Sequence, residues 1–190
     1  MTSVQLTPHP DSPAGPVRSL EAQVRTLGPA ALSVQFILTG PLGRLRIPTA
    51  GPAERTDELW RHTCFETFVR REDAADYLEF NFAPSGAWQA YRFGGYRAAR
   101  ELAELPAPPH LTVGYRESGA APAGTDDALL LEAIIVLPAP FAQAPGGVRL
   151  GLSAVLEEGP RGLSYWALGH APGRADFHHP DAAALTLEWT

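Results

Sequence analysis

Apolar and polar residues alternate along much of this chain with a period of two, the pattern of strands that turn one face inward. In "ALSVQFILTG", Leu32, Val34, Phe36 and Leu38 alternate with Ser33, Gln35 and Thr39. In "DYLEFNFAPSGAWQAYRF", Leu78, Phe80 and Phe82 share one face, and Tyr77, Glu79 and Asn81 the other. The "APSG" that follows has Pro84 second and Gly86 last, the residues a type I turn favours, so a strand from Trp88 to Phe93 completes a hairpin. Further strands are predicted over Ser3–Thr7, "GPLGRLRIP", "LTVGYRE", "VRLGLSAVLEE", "LSYWALGH" and "ALTLEW". "ALLLEAIIVLP" is a continuous apolar run and reads as a strand buried on both faces. "RAARELAEL" fits a short helix ended by "PAPPH", Pro8–Pro16 a proline-studded link, and "SGAAPAGTDD" a flexible loop.

About ten strands with no repeat at a fixed period predict an all-β fold, an immunoglobulin-like or jelly-roll β-sandwich of antiparallel strands. The 190 residues suit one domain, with residues 1–30 as a proline-rich N-terminal segment. Composition supports this reading: 19 prolines are about twice the usual ~5%, and proline is tolerated poorly in helices.

Charge narrows the partners. The net charge is -6, all 15 cationic side chains are arginine, and no basic run stands out, which argues against nucleic acid. The lack of lysine excludes Schiff-base chemistry and a P-loop. The single cysteine, Cys64, excludes an intramolecular disulfide and multi-cysteine metal cages. No apolar run approaches the ~20 residues of a membrane helix and no secretory leader is visible, so a cytoplasmic protein without a membrane partner is expected.

Candidate chemistry gathers in "LWRHTCFETFV". On a helix, Trp60, Cys64, Phe65, Phe68 and Val69 form an apolar stripe, and periodicity alone favours that reading. On a strand, Trp60, His62, Cys64, Glu66 and Phe68 share one face instead.

"LWRHTCFETFV", "YLEFNFAPSGAWQAYRF", "GLSAVLEE", "SYWALGHAPGRADFHHP" and "ALTLEW" together resemble a DOMON-like domain, in particular its small bacterial MurB-like branch. The resemblance spans Arg55 to Trp189 and is weak before it. It implies a β-sandwich related to family-nine carbohydrate-binding modules and to haem-binding DOMON domains, and it favours the strand reading of the quoted stretch. "CFETFV" and "YLEFNF" then become antiparallel neighbours. The register that buries Phe65 and Val69 with Leu78, Phe80 and Phe82 puts His62, Cys64 and Glu66 beside Tyr77, Glu79 and Asn81.

On that basis the expected function is non-catalytic binding of a small ligand, a saccharide or sugar-derived metabolite, with no cofactor and no metal. The expected site comprises Trp60, His62, Glu66, Tyr77, Glu79, Asn81, Trp88, Arg92, Tyr165, Trp166 and His170. Aromatic rings can cover the apolar face of a pyranose while carboxylates and amides hold its hydroxyls. Alternatives stay open: a haem domain with histidine ligation, a hydrolase using Glu66 and Glu79, or a structural interaction module. The haem reading is weakened because Met1 is the only methionine and lysine is lacking. Asp176, His178 and His179 offer metal-ligand chemistry, but their spacing matches no closed zinc motif. A turn braced by those side chains is the plainer reading. Cys64 reads as a packed core thiol, and Arg61, Arg92 or Arg97 as partners for buried carboxylates.

Overall fold

The computed structural model describes residues 1–12, 15–28, 30–116, 127–159 and 162–189. The predicted loop "SGAAPAGTDD" lies outside these except for its last residue, Asp127.

Among the described residues, twelve strands and one short α-helix form the fold: β1 (Thr2–Pro8), β2 (Ser19–Gly28), β3 (Ala31–Gly40), β4 (Cys64–Arg70), β5 (Tyr77–Phe82), β6 (Trp88–Phe93), β7 (Glu101–Leu102), β8 (His110–Arg116), β9 (Asp127–Val136), α1 (Ala139–Ala142), β10 (Val148–Glu157), β11 (Leu163–Ala167) and β12 (Leu185–Leu187). All ladders between them are antiparallel. One layer runs β8-β9-β3-β2-β1 and the other β7-β6-β5-β4-β10-β11, with β12 beside β10. β1 belongs to both, pairing with β2 through Thr2–Leu6 and with β11 through Thr7 and Pro8. The sheet therefore curls on itself into a sandwich.

The core lies between the layers because the alternating residues read above point there. Leu32, Val34, Phe36 and Leu38 of β3 face Phe65, Val69, Leu78, Phe80 and Phe82, all at 1% exposure or less. Phe36 and Phe65 meet across the gap with ring centroids 5.1 Å apart, a contact of about 0.5–1.5 kcal/mol beyond its buried area.

Several expectations are corrected. β2 was not predicted, although Leu20, Ala22 and Val24 alternate inward along it. β9 has one buried and one partly exposed face, not two buried ones. "GPLGRLRIP" holds a 3₁₀ turn at Leu42–Arg44 and no strand of its own, Gly40 being the last residue of β3. "RAARELAEL" forms no helix: Arg97 and Ala99 take left-handed backbone angles, and the chain continues into the two-residue β7. In the quoted stretch, Leu59–Arg61 is a 3₁₀ turn and the strand begins only at Cys64.

Candidate functional site

Strand alternation gives the second layer an outward face as well. Phe65↔Phe82, Glu66↔Asn81 and Phe68↔Glu79 are opposite pairs, so Glu66, Phe68, Glu79 and Asn81 project together away from the core. The β5–β6 ladder adds Tyr91 opposite Glu79, Gln89 opposite Asn81 and Phe93 opposite Tyr77. β10 and β11 contribute Val155 and Tyr165, themselves an opposite pair.

A cavity of about 580 Å³ opens on this face. Glu66 and Glu79 form its floor, Trp60, Phe93, Val155, Leu163, Tyr165 and Phe177 its walls, and Arg61, Arg97 and Arg100 its charged rim. Three pieces of irregular chain complete the enclosure: the 3₁₀ turn carrying Trp60, the β6–β7 loop carrying Arg97 and Arg100, and the segment from Ala175 to His178. Glu58, Arg97 and Ala99 are the non-glycine residues with positive φ among those described, at 61°, 52° and 49°. All three sit in the segments that frame this cavity, where strained backbone tends to collect.

The floor is electrostatically tense. Glu66 is 3% and Glu79 5% exposed. Asn81 donates to Glu79 through Nδ2 at 2.7 Å. Ser153 faces Glu66 across the ladder, and its hydroxyl holds the carboxyl down from just outside full hydrogen-bond geometry. Burial first, and then the charge of Glu79, push the Glu66 carboxyl well above the ordinary range. Glu79 is raised too, by burial, with Asn81 and the charges of Arg100 and Arg97 pulling the other way. Two like charges so placed resist ionising together.

His178 closes one side. Its Nδ1 lies 2.8 Å from the Tyr77 hydroxyl and its Nε2 3.7 Å from Glu79 Oε2. Phe68, Tyr77 and Phe93 surround the ring. Burial, with Arg97 adding to it, drives the imidazole down to about 4, so it is neutral at physiological pH. Arg97 is committed to Asp176, with Nη2 to Oδ1 at 2.7 Å, and Tyr96 donates to the same carboxylate. Arg100 makes no ion pair among the described residues; its guanidinium lies over the Tyr91 ring, 4.9 Å from the centroid, and beside Trp60 at 5.8 Å. Asp57 accepts from Tyr91 at 2.7 Å and Gln89 at 2.9 Å beneath that stack.

Of the residues expected at the site, Trp60, Glu66, Glu79 and Tyr165 line the cavity. Asn81 and Tyr77 lie behind the lining, Asn81 holding Glu79 and Tyr77 holding His178. The other five are placed elsewhere. His62 follows the 3₁₀ turn, sits largely in solvent and pairs with Glu157 at 2.9 Å. Trp88 is opposite Phe82 and therefore enters the core, where the Arg55 guanidinium covers it at 4.7 Å. Arg92, opposite Leu78, reaches the sheet edge and binds Asp76 at 2.9 Å. Trp166 is opposite Ala154 and also faces the core. His170 bonds the Thr7 carbonyl at 2.8 Å, away from the cavity.

The lining also holds residues that were not proposed for the ligand site. Phe93 was recoverable, because fixing the hairpin turn fixes which residue faces Tyr77. Arg100 and Phe177 were not, since they arrive on irregular segments without periodicity.

Cys64 is fully buried, and its Sγ reaches Asn81 Oδ1 at 3.7 Å; burial raises its thiol far above the range of a reactive thiolate. No group of three metal-binding side chains is found among the described residues, and no helix there is long and apolar enough to cross a membrane. Asp176 and His179 serve local structure: Asp176 accepts from the His178 amide, and His179 from the Asp181 amide.

No family model matches the chain, and neither does any curated protein. Among solved structures, a Bacteroides uniformis ATCC 8492 protein provisionally described as carbohydrate-binding aligns with a TM-score of 0.60 at 16% identity, covering 95% of this chain and 83% of that one. A family-nine carbohydrate-binding module from Caldicellulosiruptor kristjanssonii, solved with glucose, aligns at 0.41 and 12% identity, covering 82% and 69%. The first likeness establishes the sandwich fold and nothing finer.

Proposed function

We propose that this chain is a non-catalytic saccharide-binding domain of DOMON-like type, and that its ligand occupies the cavity above Glu66 and Glu79. The observation that carries the reading is the lining itself: buried carboxyls at the floor, aromatic rings around them and a volume within the ~300–1,000 Å³ range of small-molecule pockets. Trp60, Tyr165 and Phe177 offer flat apolar surfaces for the CH faces of a pyranose ring. Glu79 accepts from ligand hydroxyls, while a protonated Glu66 donates to them. The fold shared with the B. uniformis protein, itself provisionally described as carbohydrate-binding, agrees with this reading.

A haem does not fit the lining. His178 is the histidine there among the described residues, and it turns one nitrogen to Tyr77 and the other toward Glu79. It is not presented as an axial ligand.

Isothermal titration against a panel of mono- and disaccharides, repeated with Trp60→Ala and Glu79→Ala, tests the proposal. Affinity for at least one sugar is expected to fall about tenfold or more in each variant, the loss typical of a central aromatic or a buried hydrogen-bonding group. Affinity unchanged in both variants counts against the site. Release of a cleaved sugar during the same titration would turn the reading toward a hydrolase using the same carboxyl pair.

A further inference from the structure

Buried charges in proteins are normally paired, yet the floor of the cavity carries two carboxyls and no cation in contact with either among the described residues. Each nearby candidate is paired, uncharged or turned onto a ring. Arg97 is bound to Asp176 by two nitrogens, at 2.7 and 3.2 Å. Arg61 is bound to Glu58 at 2.8 Å. Arg100 stacks over Tyr91, with Asp57 accepting from that tyrosine on the same side. His178 stands 3.7 Å from Glu79 but sits in an aromatic nest that keeps it neutral. Arg61 and Arg97 are thus balanced by Glu58 and Asp176, and Arg100 draws on Glu79 from the rim without touching it, which leaves the floor with no cation in contact. Glu66 is the sharpest case: 3% exposed and lining the cavity, with the Ser153 hydroxyl facing it across the ladder at less than full hydrogen-bond geometry.

A carboxyl pair in this state is poised for one kind of ligand group. A hydroxyl satisfies a lone pair but leaves the charge conflict in place. An ammonium satisfies both carboxyls and lets them ionise together, and the rings of Trp60, Phe93, Tyr165 and Phe177 add cation–π surface around it. We propose that Glu66 and Glu79 receive a ligand ammonium group, so that the saccharides this site selects are amino sugars with a free amine. This rests on the saccharide-binding reading of the same cavity. Acetylated amines are rejected, because they carry no charge and would bury an acyl group against the acidic floor. Binding moves a proton: the carboxyl pair gives up the one it holds as the ammonium arrives, and that proton leaves to solvent.

The experiment is isothermal titration of the whole chain near pH 6, where free amines with pKa values near 8 are charged. Glucosamine, galactosamine and mannosamine are compared with their neutral and N-acetylated counterparts and with ethanolamine, in two buffers of different ionisation enthalpy. At least one amino sugar is expected to bind about tenfold or more tightly than its neutral counterpart. Its observed enthalpy should differ between buffers by an amount showing proton release. In Glu66→Gln the ratio of amino-sugar to neutral-sugar affinity should fall at least fivefold. Should that variant fail to fold, the buffer dependence of the unaltered protein still decides.

Amino sugars that bind no tighter than neutral ones, or that bind without releasing a proton, overturn the ammonium assignment and leave the saccharide reading standing. Ethanolamine that binds through Glu66 as tightly as the amino sugars supports the ammonium assignment and removes the saccharide reading. No binding by any member of the panel overturns both.

Discussion

Replacing Glu66 by glutamine should stabilise this protein, which is unusual for a change at a buried strand residue. The side chain keeps its volume, so no cavity or overpacking arises, and only the charge is lost. In the unfolded chain Glu66 titrates near the ordinary ~4.3; in the fold, burial and then Glu79 raise it well above that. Above the unfolded value the folded chain keeps a proton that the unfolded chain has released. Stability therefore falls as pH rises, by about 1.4 kcal/mol per pH unit while that proton is retained. The stability this group confers is complete below the unfolded value and is lost as pH climbs toward the folded one. His178 acts in the opposite sense: its folded value of about 4 lies below the unfolded ~6.5, so stability rises with pH between the two. The quantity to measure is thus the difference between the two proteins, in which His178 cancels. Urea unfolding at about pH 5, 6, 7 and 8 should show the glutamine variant gaining on the parent at each step. Each step over which the folded parent retains the proton should add about 1.4 kcal/mol to the variant's advantage. For a chain of this size each kcal/mol is ~2–4 °C in Tm. A variant less stable than the parent at about pH 8, or a difference independent of pH, would refute the charge argument and make Glu66 an ordinary satisfied core residue.

Three further outcomes follow from other parts of the molecule. In an NMR titration of labelled histidine, His178 should stay neutral until about pH 4; a His178 midpoint near 6.5 would mean that the aromatic nest is open. Phe65→Ala removes the ring that meets Phe36 across the layers and should cost about 3–5 kcal/mol in urea unfolding, as large-to-small changes in packed cores do. Gly147→Ala places a Cβ 2.0 Å from the Leu187 carbonyl oxygen at a φ of 87°, so β12 must detach or shift. About 1–3 kcal/mol of lost stability, with faster amide exchange confined to Leu185–Leu187, is expected, and unchanged exchange there would contradict the packing.

The fold was largely legible because its signals are periodic. Alternation in β3, β5 and β6 and the turn residues Pro84 and Gly86 require no knowledge of distant contacts. The Ala83–Gly86 turn closes with the Gly86 amide on the Ala83 carbonyl at 2.9 Å, and from it the whole β5–β6 register follows. That register also carried the information that Trp88 and Arg92 face the core side and that Tyr91 and Phe93 face outward; chemical type had drawn the first two to the site against their parity. The pairing of Glu66 and Glu79 on one face follows from the same parity, once β4 is a strand. What period could not reveal is the enclosure. Trp60 reaches the cavity from a 3₁₀ turn, Arg97 and Arg100 from a loop with left-handed residues, and Phe177 and His178 from an irregular segment. Their positions are set by long-range contacts such as Tyr77 with His178 and Arg97 with Asp176. His62 failed for a related reason: the strand starts two residues after it, so it never joins the alternation that Glu66 obeys.

The central claim is that the cavity over Glu66 and Glu79 is where this protein meets its ligand. The most direct test is chemical-shift mapping on isotope-labelled protein titrated with the saccharide panel, reading the Trp60 indole and the amides of β4, β5 and β11. The account predicts that a binding sugar shifts the Trp60 indole together with Glu66, Glu79 and Tyr165, and leaves the opposite layer, β2 and β3, undisturbed. A binding sugar whose shifts fall elsewhere, such as around Arg70 and Arg149, or a panel that leaves the Trp60 indole unmoved, would contradict it.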